Sequence, residues 1–232
     1  MHLKKVVFCH EKYPVKDRYP FSLSIFQNTR CLEFPAPVTY FVGENATGKS
    51  TLMHAMSKLC GIYIWGEDTG RDRCEYNPFE KEFFKVIEIE WAYGRVPGSF
   101  FGSDLFRNYA HIIDEWAKTD PGLLEYYGGK SLVSQSHGQS ILSFFRACFK
   151  VKGLYFLDEP ETGLSPASQI GLRSLLSETA ARGHAQFIIA THSPLLLSLP
   201  SAVLYSFDSR AIEAVGYREC SHYRIYKDFF GA

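Results

Sequence analysis

"PVTYFVGENATGKSTLMHAMSKLCG", residues 37–61, decides the fold. It opens on a short apolar run, passes through glycines and small polar residues, and ends on Leu52, Ala55, Met56 and Leu59 at helical spacing. Gly61 suits a left-handed C-terminal stop. The stretch reads as buried strand, turn and helix. The turn, "GENATGKS", fits the spacing G-x-x-x-x-G-K-[ST] at Gly43, Gly48, Lys49 and Ser50; Glu44, Asn45, Ala46, Thr47 and Thr51 complete one candidate loop. Glycines let such a backbone curl so that its N–H groups and the helix N-terminus face phosphate oxygens. Lys49 would reach β- and γ-phosphates, and the Ser50 hydroxyl would ligate Mg²⁺. The plainer alternative is a glycine turn before a helix that happens to hold a lysine. The apolar strand before it and the amphipathic helix after it favour phosphate.

The alternation continues downstream. "LYFL" (154–157) and "FIIA" (187–190) are short continuous apolar runs, the pattern of parallel strands covered on both faces. Between them Ser165 can cap a helix, Pro166 can take its first position, and Gly183 can end it behind Leu172, Leu175 and Leu176. Upstream, "FFKVIEIEW" (83–91) alternates, with Ile87, Ile89 and Trp91 on one face and Glu88 and Glu90 on the other, as in a half-exposed strand. Residues 66–82 have many charges and no period, and read as an exposed connector or insertion. Residues from about 100 to 150 read as mostly helical, and Ile141, Phe144, Phe145 and Cys148 form one apolar stripe. The expected fold is α/β, with βαβ units and a helical stretch set into them.

Three further stretches carry candidate chemistry. In "LYFLDEPETG" (154–163), Asp158 ends a buried strand and would hold Mg²⁺ through water; Glu159 stands where a carboxylate can orient and deprotonate an attacking water. Alone, the pair would read as strand-end acids capping the next helix. In "FIIATHSP" (187–194), His192 would emerge at the same sheet edge as Asp158 and can hydrogen-bond a γ-phosphate. His54, His111, His184 and His222 receive no such role. The third stretch, "SQSHGQS" (134–140), holds one histidine and no acid, so it makes neither a proton relay nor a carboxylate metal site. It is a polar helix cap, or half of a site completed elsewhere.

Composition sets the bounds. The 232 residues suffice for one α/β domain with a full core. Lys+Arg and Asp+Glu both number 25, so no net basic field points to nucleic acid or an anionic membrane. No apolar stretch approaches bilayer-spanning length, and the first residues lack a secretory signal. The six cysteines are scattered without a CxxC pair, as expected of reduced thiols in a cytoplasmic protein.

Taken together, these motifs resemble the ATP-binding-cassette (ABC) ATPase family. Gly43–Thr51 resembles its Walker A motif and Leu154–Glu159 its Walker B. Ser165 lies where its D-loop would run, and His192 resembles the switch histidine. Ser136, His137, Gly138 and Gln139 resemble the SGGQ signature, with histidine replacing the first glycine. Gln139 stands 19 positions before Asp158 and His192 stands 34 after it, in the family's order. The likeness covers about 40–232, and the first forty residues resemble the antiparallel lobe of such a cassette. The wording "GEN-x-x-GKST", "SHG", "LDEPE" and "ATHSPLLL" resembles that of compact stand-alone bacterial predicted ATPases related in style to recombination-repair and chromosome-maintenance heads.

The resemblance implies one P-loop NTPase domain over 1–232. Its parts would be a mostly parallel RecA-like core with an antiparallel β lobe (about 1–95 and 151–232) and an inserted helical signature subdomain (about 96–150). It also implies ATP and Mg²⁺ as cofactors, hydrolysis assisted by Glu159 and His192, and metal held at Ser50 and Asp158. Ser136, His137, Gly138 and Gln139 would contact ATP on a partner copy, giving an ATP-dependent homodimer that acts as a switch on a protein or nucleic-acid partner, in DNA repair or defence, without direct membrane insertion. Two departures qualify this. No glutamine lies between Gln27 and Gln135, where transporter cassettes carry the one that couples to a membrane domain. Glu88 or Glu90 could stand there, although a solvated strand face is the plainer reading. There is also no room for a long coiled coil. Tyr19 or Phe21 could stack on adenine or simply pack in the core. The alternatives are the nucleotide-binding subunit of a membrane transporter and a small-molecule P-loop kinase.

Overall fold

Two kinds of strand build two sheets. A computed structural model describes residues 1–64 and 79–231. In chain order, β1 (Leu3–Phe8), α1 (Ser24–Asn28), β2 (Cys31–Glu33), β3 (Val38–Val42) and α2 (Lys49–Cys60) precede β4 (Ile87–Trp91) and β5 (Gly98–Gly102). Helices α3 (Phe106–Ala117), α4 (Gly122–Tyr126) and α5 (His137–Cys148) follow. The C-terminal part runs β6 (Gly153–Asp158), α6 (Pro166–Ala181), β7 (Ala185–Ala190), α7 (Pro194–Leu197), β8 (Val203–Ser206), β9 (Glu213–Val215) and α8 (Ser221–Phe230).

The alternating strands form a small antiparallel sheet, β2-β1-β4. Its outer face carries Glu88 and Glu90, paired with Lys12 and Lys4 at 2.6 Å each. Both glutamates are exposed, so the solvated-face reading holds, and such solvent-screened pairs contribute little to stability. The continuous apolar runs form the large sheet, β5-β6-β7-β3-β8-β9, parallel from β5 through β8 with β9 antiparallel at the edge. Every residue of β3 and β7 is buried because both faces are covered. Tyr40, Leu157 and Ile189 join one core with α5 and α6, while Phe41, Phe156 and Ile188 join another with α2 and the antiparallel lobe. Gln186 pins the two sheets together. Its buried amide accepts from the His2 and Leu3 N–H groups at 2.7 and 2.8 Å and donates to Leu3 O at 2.9 Å.

Two boundaries differ from the sequence reading. The "FFKV" half of 83–91 lies in a 3₁₀ segment (Glu80–Val86), and the strand begins at Ile87. More important, β5 lies inside the range expected to be mostly helical, yet it is the edge strand of the large sheet. The run "GSFFG" is short, and its close approach to β6 needs a missing side chain: a Cβ on Gly98 would sit 2.1 Å from Leu154 O. The helical segment proper therefore starts near Phe106. Cys74 and most of the expected 66–82 connector lie outside the described residues; the other five cysteines are free thiols.

Candidate functional site

The loop after β3 wraps around its own lysine. Gly43 (φ +147°) lies so close to Asp208 that a Cβ would come within 2.8 Å of Oδ1, and that same oxygen accepts the Glu44 N–H at 2.8 Å. Glu44, Asn45 and Ala46 form the exposed rim, and Thr47 donates its hydroxyl to Glu44 O at 2.9 Å. Gly48 then opens α2 in a left-handed conformation, with Ser50 exposed and Thr51 buried in its first turn. The Lys49 ammonium folds back into the concavity and donates to Gly43 O at 2.6 Å and Glu44 O at 2.7 Å. Burial holds the Lys49 pKa below the usual lysine value, while the carboxylates of Asp208, Glu159, Asp158 and Glu44 pull it back up. A cation held mainly by two carbonyls exchanges readily to a better acceptor, and a phosphate oxygen is one.

The neighbouring strand ends bring the acids and the histidine to this loop. Asp158 closes β6 in register with Ala190 at the end of β7, so Glu159 and His192 leave the sheet at one edge. Burial raises the Asp158 pKa from its ordinary value, opposed first by a hydrogen bond from Ser50. Its Oδ1 is buried without a hydrogen-bond partner among the described residues. Glu159 adopts φ +46°, its N–H donates to Ala190 O at 2.9 Å, and its Oε1 lies 3.7 Å from His192 Nε2. The His192 backbone N–H donates to Glu161 Oε1 at 2.6 Å, and its ring Nδ1 lies 2.9 Å from His222 Nε2. Burial pushes the Glu161 carboxyl pKa up. Burial, then the nearby His192, pushes the His222 pKa down.

These residues fit a magnesium-bound triphosphate. The two glycines leave the loop concave, the ammonium is already inside it, and an orphaned carboxylate oxygen stands beside a serine hydroxyl, a hard oxygen pair suited to Mg²⁺.

The 134–140 stretch lies apart from this cluster. Ser136 N-caps α5, its Oγ accepting the Gln139 N–H at 3.4 Å. Ser136, His137 and Gln139 are exposed, and among the described residues none of the four donates to or accepts from the Gly43–Thr51 loop. The His137 ring packs on Gly163, where a Cβ would meet its Cδ2 at 2.6 Å, and Gly138 faces Leu164 and Ser168. Asp114 of α3 orders the approach by accepting the Leu132 and Val133 N–H groups at 3.0 Å each. Ser165 caps α6, accepting Ser168 N–H at 3.3 Å.

The adenine candidates separate. Phe21 is fully buried among Tyr13, Phe79 and Phe83, so it is a core residue and presents no stacking face. Tyr19 is partly buried and its hydroxyl hydrogen-bonds Thr51 in the first turn of α2. Sequence reasoning missed Asp208, Glu161 and Asp114, and gave His222 no role although its ring lies tilted beside that of His192 at 5.1 Å between ring centroids. Their only local signal is a polar residue beside an element end, which many surface positions share.

The glycine loop, strand-end acids, strand-end histidine and two-sheet fold resemble those of P-loop ATPases of the ABC type, a class whose members hydrolyse ATP. Residues 131–198, from the loop before α5 through α7, match a family described as an AAA domain of the AbiEii toxin kind, Type IV TA system. The chain is similar to the manganese transport system ATP-binding protein MntB of Halalkalibacterium halodurans, 26% identical over 174 residues, covering 70% of this chain and 69% of that protein. In structure it is similar to an ATP-binding cassette of an ABC transporter in its ADP conformation (TM-score 0.55, 14% identity, all of both chains). It is likewise similar to a metal-chelate type ABC transporter in an inward-facing conformation (TM-score 0.54, 19% identity, 100% of this chain and 90% of that one). No helix among the described residues is long and apolar enough to cross a membrane.

Proposed function

We propose that the chain is a Mg²⁺-dependent ATPase whose working site is shared between two copies, and that ATP-driven pairing switches a macromolecular partner. In this reading the Gly43–Thr51 loop cradles the phosphates through its N–H groups, and Lys49 exchanges its two carbonyl partners for β- and γ-phosphate oxygens. Ser50 and Asp158 hold the metal, which when bound neutralises charge on the β- and γ-oxygens. Glu159 accepts the proton of the attacking water, and His192 contacts the γ-phosphate from the end of the neighbouring strand.

One observation carries the shared-site reading. Ser136, His137 and Gln139 are exposed at a helix N-terminus that makes no hydrogen bond to the chain's own phosphate loop, although such a terminus favours an anion. Two copies closing head to tail would use both half-sites in a C₂ pair. The test is light scattering on Glu159→Gln, which removes the base and retains bound nucleotide. Dimers with Mg·ATP and monomers with Mg·ADP are expected. Adding Gly138→Asp should block the dimer, since a carboxylate would meet the γ-phosphate. Full hydrolysis by a strictly monomeric Gly138→Asp protein would defeat the proposal and leave 134–140 a helix cap.

The similarity to MntB favours a second reading, a nucleotide-binding subunit that docks on a membrane protein. The absence of glutamine between Gln27 and Gln135 weighs against it. Co-purification of the Glu159→Gln variant with an integral membrane protein would decide for it.

A further inference from the structure

A polar chain runs behind His192 that the proposed reaction does not use. His192 Nδ1 lies 2.9 Å from His222 Nε2, and His222 Nδ1 lies 3.4 Å from Ser221 Oγ. Ser221 Oγ donates to Asp208 Oδ2 at 3.0 Å, and Asp208 Oδ1 accepts the Glu44 N–H at 2.8 Å. The chain thus leads from the histidine ring to the rim of the phosphate loop, through the first turn of α8.

Elementary hydrogen-bond chemistry gives it a direction. An ionised carboxylate only accepts, so Ser221 commits its single hydrogen to Asp208. The Ser221 oxygen can then only accept from His222, which therefore carries its hydrogen on Nδ1. A neutral His222 with Nδ1–H has a bare Nε2, so the hydrogen between the two rings belongs to His192 Nδ1. Burial and the neighbouring His192 favour the neutral form of His222, against the pull of Asp208 and Glu44. The other ring nitrogen of His192, Nε2, is buried and has no hydrogen-bond partner among the described residues.

We propose that His222 is the positioning residue for His192: it fixes the ring in its Nδ1–H form, and Ser221 and Asp208 tie that orientation to the phosphate loop. The inference rests on the nucleotide-site reading and deepens it. A bare Nε2 cannot donate to an anionic γ-phosphate, so the contact requires a proton to arrive on Nε2 while Nδ1 stays committed to His222. ATP binding is then coupled to proton uptake. The charged groups around the pair are Glu159 and Glu161 after β6, Asp208 after β8, and Glu44 and Lys49 of the loop.

The first test needs no nucleotide. Long-range ¹H–¹⁵N spectra of histidine-labelled protein at mildly alkaline pH should show His192 as the Nδ1–H form. His222→Phe should release it toward the Nε2–H form that an unconstrained histidine prefers, and His222→Gln, whose amide oxygen accepts, should restore it. Ser221→Ala changes a partly exposed position, keeps both rings, and should also release His192. An Nε2–H form in the wild type would overturn the proposal. The second test is calorimetry of Mg·ATP binding in buffers of different ionisation enthalpy. Uptake of about one proton is expected for wild type and His222→Gln, and clearly less for His222→Phe. Equal uptake in all three would overturn the coupling. Absence of ATP binding in the wild type would defeat the nucleotide reading instead, while the tautomer measured without nucleotide still decides the role of His222.

Discussion

Replacing Gly48 by alanine separates two reasons for a glycine at the end of the phosphate loop. One is close approach of a ligand to the backbone. The other is internal, because Gly48 is wedged against the N-terminal segment. Its backbone sits at φ +100°, ψ 6°, and a residue with a Cβ in the left-handed region loses about 1–2 kcal/mol. The added Cβ would also lie 2.8 Å from Phe26 Cζ and 3.0 Å from both Leu23 Cδ1 and Phe26 Cε2, against an optimum of about 3.5–4.0 Å. Phe26 cannot swing clear. It is fully buried, 5.9 Å from the Phe8 ring and 4.6 Å from the Phe83 ring. Overpacking of that kind costs about 1–3 kcal/mol, so the total is about 2–5 kcal/mol, a large share of the roughly 5–15 kcal/mol that holds a domain together.

Gly61→Ala is the matched control. Gly61 also has positive φ, +71°, but among the described residues nothing lies within 4 Å of its would-be Cβ. It should lose only the backbone share, about 1–2 kcal/mol. The difference between the variants, about 1–3 kcal/mol, is the packing contribution. Urea unfolding of the nucleotide-free proteins measures it, provided the slopes agree. Equal midpoints for the two variants would refute the wedge and leave the left-handed backbone and ligand approach as the reasons for Gly48.

Three further outcomes are expected. Lys49→Ala should abolish tight ATP binding in calorimetry, because it removes the one cation already seated inside the loop. Glu159→Gln should cut steady-state hydrolysis by roughly 10²-fold or more while Mg·ATP still binds; turnover near wild type would exclude Glu159 as the base. Glu161→Gln tests a pH dependence: burial raises this carboxyl's folded pKa, so its stabilising contribution is present below the unfolded pKa and lost as pH rises through the folded one. Gln keeps an acceptor for the His192 N–H, so melting curves should lose that downward slope; an unchanged slope would show that Glu161 does not cause it.

What the chain discloses locally and what it hides follow from the range of the forces involved. The strand–loop–helix over 37–61 was readable because each of its constraints acts within a few residues: apolar continuity in β3, positive φ at Gly43 and Gly48, and helical spacing to the stop at Gly61. The apolar runs of β6 and β7 were readable for the same reason, and their parallel pairing brings Asp158 beside Ala190 without further information. β5 was not readable. Five residues flanked by glycines give no period to set against the helices that follow, and what makes it a strand is the approach to Leu154, more than fifty positions away.

The polar partners fail in the same way. His222 lies 30 positions after His192, Asp208 lies 164 after Glu44, and nothing in either neighbourhood distinguishes them from residues on a solvated loop. A motif reports a site whose geometry one turn can dictate. The residues that hold such a site in register come from other elements, and they can be recognised only when the sheet order has set β8 beside β3 and β3 beside β7. That order brings the segment carrying Asp208 against Gly43, and Ser221, bonded to Asp208, opens the helix that sets His222 against His192. The cost of losing either partner should therefore appear first in the orientation of His192 and of the loop rim, before it appears in the global stability of the fold.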